Sequence, residues 1–159
     1  MDRNKFKWTE INFGKFADKQ MSLPQIVLTD PDWFFYMVEI RAFTGRVARQ
    51  AADIAVKARK IRIPREKPKR WKVLNYLTPE RAFSHFDVVE AKPDWYSRSS
   101  KTQVSDFIDL SISHRLKPYD KQGGKRLIKC FKHQLFGGTN VRLTKRRCEE
   151  FFADPGNFG

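Results

Sequence analysis

Phe86-Asp87-Val88-Val89-Glu90-Ala91-Lys92 reads as a strand ending in Glu-x-Lys. Side chains alternate along a strand, so Glu90 and Lys92 share a face. A carboxylate and an ammonium side by side can hold a divalent metal and polarise an attacking water. Such a nuclease centre also needs an upstream Asp on a neighbouring strand. Asp87 is too close along the same strand, and Asp53 falls in a predicted helix. Cys130 and His133 fall at i and i+3 of another predicted helix, which suits half a metal site. No second pair completes it, and Cys148 stands alone. His85, His114 and His133 are widely spaced, with no HExxH or HxH pattern. Ser97, Ser99 and Ser100 read as loop residues, and no hydrolase signature surrounds them. No metal and no cofactor is expected, and the sequence leans away from a catalyst.

The cations carry a stronger pattern. Lys57, Arg59, Lys60, Arg62, Arg65, Lys67, Lys69, Arg70 and Lys72 run against the single acid Glu66, with Trp71 inside the stretch. Pro64 and Pro68 stiffen it. Cations neutralise phosphates and release counterions, and a ring can stack on a base. The alternative is an exposed linker with Trp71 turned into the core. A second group is Arg142, Lys145, Arg146 and Arg147, around a helix start capped by Thr144, with Glu149 and Glu150 further along. That order opposes the helix dipole, and a bound phosphate would reverse the sign. Solvated side chains are the plain alternative. Gly123-Gly124-Lys125-Arg126 also opens a helix. It lacks the GxxxxGK[ST] spacing, so it reads as a further phosphate contact and not as a nucleotide site.

The balance of charge agrees. The 159 residues hold 32 Lys+Arg against 18 Asp+Glu, a net charge of +14. Residues 41–72 hold +10 of it and residues 111–159 hold +7, while 1–40 and 73–110 are close to neutral. A polyanion footprint concentrates charge in this way. Aromatics make up 14% of the chain, far more than a disordered tail contains. No apolar run approaches the ~18 residues that span a bilayer. Residues 1–10 have no apolar core of a secretory leader. Two cysteines cannot build a disulfide framework. The expected setting is the cytoplasm of a bacterial or phage-infected cell, with no membrane partner.

The elements that must position these residues are short. Lys7–Phe13 predicts a strand, followed by a turn and a second extended piece ending at Leu23-Pro24. Thr29-Asp30-Pro31-Asp32 is a helix start, with a cap, a first-turn proline and an acid at the positive helix end. That helix is expected from Trp33 to Phe43, and a second from Arg46 to Lys60 with a narrow face of small apolar residues. Trp71–Tyr76 and Phe86–Lys92 predict strands, and Thr78-Pro79-Glu80 a short helix between them. Ile108, Leu110 and Ile112 alternate as in a strand, although Val104, Phe107, Ile108 and Ile112 also fit a helix. From Phe107 onward the alternation predicts a strand. Helices are expected from Gly123 to Phe136, closed by Gly137-Gly138, and from Thr144 to Phe152. The fold class is α+β, with short strands, four or five helices and a small N-terminal hairpin-helix module. The division expected is residues 1–45 and 46–159, or one continuous domain.

Ile11-Asn12-Phe13-Gly14-Lys15-Phe16, a spacer, and then Thr29-Asp30-Pro31-Asp32-Trp33-Phe34-Phe35-Tyr36-Met37 resembles a small recurring module. Its pattern is Phe-Gly-Lys-aromatic, a hairpin, then Asp-Pro-x-aromatic at a helix start. It looks like the FGK module at the C-terminus of exodeoxyribonuclease X-like proteins, also found in small proteins labelled quorum-sensing-regulated virulence factors. The likeness covers residues 8–43. Ala17-Asp18 stands where the family usually has a second hairpin Gly, and the nuclease catalytic domain has no counterpart. The resemblance implies a nucleic-acid context and carries no catalysis over.

Together these features predict an accessory protein that binds DNA or RNA through its phosphates. The contacts expected are Lys57, Arg59, Lys60, Arg62, Arg65, Lys67, Lys69, Arg70, Trp71, Lys72, Lys125, Arg126, Arg142, Lys145, Arg146 and Arg147. Two alternatives remain. One is a metal-dependent nuclease using Glu90 and Lys92. The other is a phage- or mobile-element interaction or inhibitor module that meets an acidic protein surface.

Overall fold

The computed structural model describes residues 8–65, 70–91 and 102–159. In chain order these form α1 (Leu23–Val27), α2 (Pro31–Glu39), α3 (Gly45–Ala58), β1 (Trp71–Leu77), β2 (Phe83–Glu90) and β3 (Thr102–Ser105). α4 (Ile112–Leu116), α5 (Lys121–Phe136) and α6 (Lys145–Ala153) follow. The class is α+β, with six α-helices among the described residues where four or five were expected. The three strands make one antiparallel sheet in the order β2-β1-β3. β1 meets β2 from Trp71↔Glu90 to Leu77↔Phe83 and meets β3 from Val73↔Ser105 to Tyr76↔Thr102. Val73, Asn75, Phe83 and Phe86 are buried, and α5 packs along β2. The buried apolar side chains form one connected cluster from Trp8 to Phe158.

Several local expectations yield to tertiary demands. Lys7 lies outside the described residues; among these, the expected N-terminal strand and the piece before Pro24 meet at an isolated bridge, Glu10↔Ser22, and Leu23-Pro24 opens α1. Proline fits there because the first turn has no partner for its missing N–H. Thr78-Pro79-Glu80 is a turn, because five residues must reverse the chain between β1 and β2. Its Thr78 hydroxyl accepts from Ala82 N at 3.0 Å, and Arg81 takes φ +65°. The run from Phe107 gives one bridge, Ile108↔Ile61, and then α4. Ile61 also bridges Phe158, so this residue ties the end of α3 to the C-terminus. α2 ends at Glu39, short of Phe43, where Arg41 at φ +56° turns the chain.

The Phe-Gly-Lys-Phe segment is a packing device. Gly14 has φ +70°, and a Cβ there would lie 2.9 Å from the Trp33 ring. Phe16 meets Trp33 edge-on at 5.0 Å. Lys15 pairs with Asp30, whose carboxylate caps α2 by accepting from Trp33 N at 3.0 Å. The loop, the cap and the ring therefore hold one another. Gly14→Ala combines left-handed strain with a steric conflict, and should destabilise the protein by roughly 2–4 kcal/mol. Gly45→Ala has a similar φ, +57°, and open space around it. It should lose only about 1 kcal/mol. Urea melts of both variants check the difference.

Candidate nucleic-acid interface

Several of the cations predicted from sequence have protein partners, and Arg59, Arg62 and Arg65 keep exposure to solvent as well. Lys57 is half-buried, pairs with Asp53 at 3.0 Å and donates to Phe152 O at 3.3 Å. Arg59 lies 5.1 Å over the Phe35 ring. Arg62 donates through Nε to Phe158 O at 2.8 Å. Arg65 donates to Gln134 Oε1 at 2.7 Å and lies 5.7 Å over Trp71. Lys72 pairs with Asp106. Trp71 is half-buried at the start of β1, and Lys60 and Arg70 are exposed. Lys67, Lys69 and Lys92 lie outside the described residues. Described cations of the basic stretch thus help to fasten α3, β1 and the C-terminal segment.

The cations of α6 are similarly occupied. Lys145 reaches Glu10 at 2.7 Å, and Arg146 meets Glu150 at 3.0 Å. Glu149 accepts from the buried Ser22 hydroxyl at 2.7 Å. These partners account for a charge order that the helix dipole alone disfavours. Thr144 caps the helix as expected, accepting from Arg147 N at 3.2 Å. Arg142, Arg146 and Arg147 are exposed.

α5 is different. Lys121, Lys125 and Lys129 are exposed, and Lys132 is half-buried. Steps of three and four residues bring all four to one side of the helix. Arg126 is exposed beside them and donates to Phe83 O at 3.4 Å. The segment Lys121–Phe136 contains no acidic residue. Among the described residues, none of the four lysines makes an ion pair. Like charges at i, i+4 disfavour a helix by about 0.2–0.5 kcal/mol per pair, so packing must hold this one. Its other side, Gly123, Gly124, Leu127, Ile128 and Phe131, is buried. The contacts expected from sequence include Lys125 and Arg126 and omit Lys121, Lys129 and Lys132. Spacings of three and four residues were the available signal.

Gly123-Gly124 makes room for protein and not for phosphate. A Cβ at 123 would lie 2.5 Å from Asp120 Oδ2 and 2.7 Å from Ser113 Oγ. One at 124 would lie 3.5 Å from Asp32 Oδ2. Asp32 is 3% exposed, so the start of α5 closes over a carboxyl group. Ser113 Oγ donates to Asp32 Oδ2 over a long 3.5 Å, and Asp32 Oδ1 has no partner. Next along α4, His114 Nε2 lies 2.6 Å from Glu39 Oε2, and its Nδ1 is also unpartnered. Burial pushes the Asp32 carboxyl up to about 6, partly offset by His114 and the Ser113 hydrogen bond and reinforced by Asp30 and Asp120.

Of the Glu90–Lys92 pair, only Glu90 lies within the described residues. Glu90 ends β2 opposite Trp71, and Asp87 is an odd number of residues away, on the other face. Asp53 is on α3, engaged with Lys57. Among the described residues no group of three or more His, Cys, Asp or Glu is arranged to hold a metal. Burial raises the Cys130 thiol, and pushes Cys148 up to about 12, so neither is a ready thiolate.

Asp32 sets a pH dependence. Its folded pKa exceeds its unfolded one, so the native state binds the extra proton between them. The stability this gives is complete below pH ~4 and is lost as pH rises through about 6. The loss is on the order of 3 kcal/mol. Asp32→Asn removes the titration while keeping the shape. It should melt near wild type at pH 4 and several degrees higher at pH 8, which thermal denaturation at both values would show.

No family model, curated protein or solved structure matches this chain.

Proposed function

We propose that the protein binds nucleic acid, chiefly through phosphates, and that the outer face of α5 is its principal contact. The supporting observation is the cationic face itself, with Lys121, Lys125 and Lys129 exposed and no acid anywhere in the helix. A polyanion turns the mutual repulsion of these side chains into attraction and gains counterion release. Lys60, Arg70, Arg142 and Arg147 are further exposed cations from the two basic blocks. The likeness of residues 8–43 to a module of exonuclease-like proteins points to the same class of partner. Binding needs no metal and no reaction, so the role is that of an accessory factor.

Titration against labelled single- and double-stranded DNA and RNA at two salt concentrations tests the reading. Affinity should fall by orders of magnitude between dilute and physiological salt, and a flat response would refute phosphate contact. Lys125→Glu separates a binding face from a solvated one. It places an acid one turn from Lys121 and from Lys129, so the free protein should gain about 0.2–0.5 kcal/mol for each pair. Binding should weaken more than tenfold, and the log–log salt slope should become shallower by about 1. A melting curve paired with binding isotherms checks both directions.

A further inference from the structure

Tyr119 stands immediately before α5, and it is 53% exposed. Its backbone has φ +62°, a region that residues with side chains seldom adopt. Four non-glycine residues of the described chain do so, and Tyr119 is the aromatic one. The ring is supported from one side. Tyr36 of α2 lies with its centroid 4.4 Å away, and His114 meets Tyr36 edge-on at 6.4 Å. Among the described residues Tyr36 is the sole ring contact of Tyr119. Exposed Lys117 and Lys121 flank it in sequence, and Lys121 starts the cationic face of α5. Of the acids nearby, Glu39 pairs with His114 and Asp30 with Lys15. Asp120 begins α5 next to the ring and is half-buried.

We propose that Tyr119, backed by Tyr36, is a stacking site for an unpaired nucleobase, so that the α5 face binds a single strand in preference to a duplex. The inference rests on the phosphate-binding reading of α5 and specifies its substrate. A duplex keeps its bases stacked on each other, whereas a single strand offers a π-face to an exposed ring. The backbone of that strand would then run along Lys121, Lys125 and Lys129. The support from Tyr36 and the turn at φ +62° hold the Tyr119 ring before any ligand arrives, so little freedom is lost on stacking.

The test uses labelled oligothymidylate, an abasic oligodeoxynucleotide of equal length, and a duplex. Wild type should prefer oligothymidylate to the abasic strand. Tyr119→Ala should weaken oligothymidylate binding about 5- to 100-fold and abolish that preference. The salt slope should stay unchanged, because the ring carries no charge. Tyr119→Phe and Tyr119→Trp should restore both, which also shows that the fold at this position is intact. Equal binding of oligothymidylate by wild type and Tyr119→Ala would overturn the stacking site. So would equal binding of base-bearing and abasic strands by wild type, or failure of both aromatic variants to rescue. Salt-dependent binding that survives in these cases would leave the phosphate face standing. No nucleic-acid binding by wild type at low salt would overturn both readings together, and an aromatic peptide captured through Tyr119 in its absence would assign the ring to a protein partner.

Discussion

The position of α5 depends on a carboxyl group that has left water. Asp32, in the first turn of α2, lies under the start of α5 and beside α4. Burying a charged carboxylate is expensive, and this one has a single long hydrogen bond and one oxygen with none. The site softens the cost in three ways. Asp32 is near the positive end of α2, His114 is close by, and the group can take up a proton. Burial still outweighs the favourable terms, because the carboxyl is raised and not lowered. Gly123 answers a second constraint at the same junction. Any side chain at 123 would strike Asp120 or Ser113, so the helix can close on α2 and α4 only with no side chain there.

This junction explains how a helix with no acids of its own remains in place. α5 cannot rely on i, i+4 ion pairs, since its exposed neighbours repel. It is held by burial instead. Leu127, Ile128 and Phe131 enter the common core, and Phe131 meets Phe136 and Phe151 at 5.8 and 5.4 Å. Phe151 continues to Phe152 and Phe158, and Phe158 shares a bridge with Ile61. The apolar side of α5 thus reaches the basic stretch after α3 through one run of aromatic contacts. A large hydrophobic anchor frees the opposite side to carry unbalanced charge.

Much of the fold was legible because its signals were local. The Asp30 cap, Pro31, the Gly137 stop and the Thr144 cap all depend on neighbours in sequence, and each marks a real helix end. β1 and most of β2 followed from their apolar composition. The misreadings share a cause. Residues 7–13, 78–80 and 107–112 have patterns that suit more than one conformation, and distant contacts decide them. Ile61 illustrates the limit: nothing in its neighbourhood announces bridges to residues 108 and 158.

The candidate site was legible as charge and illegible as surface. Counting cations found the two basic blocks, yet composition cannot tell a solvated arginine from one bonded to a carbonyl. Arg62 and Lys57 donate to the main chain of the C-terminal segment, so part of the +10 block serves cohesion. Gly123-Gly124 was read for the phosphates glycine can admit, when at 123 the Asp120 carboxylate and the Ser113 hydroxyl take the space. The proposed contacts are therefore sought among the exposed cations without an ion pair among the described residues. In a chain of net charge +14 every such side chain raises the self-repulsion of the folded state. Internal acids relieve it along the basic stretch and at α6, and they do not relieve it on α5. A polyanion would relieve it there, which makes ligand binding and electrostatic stabilisation of this helix the same event.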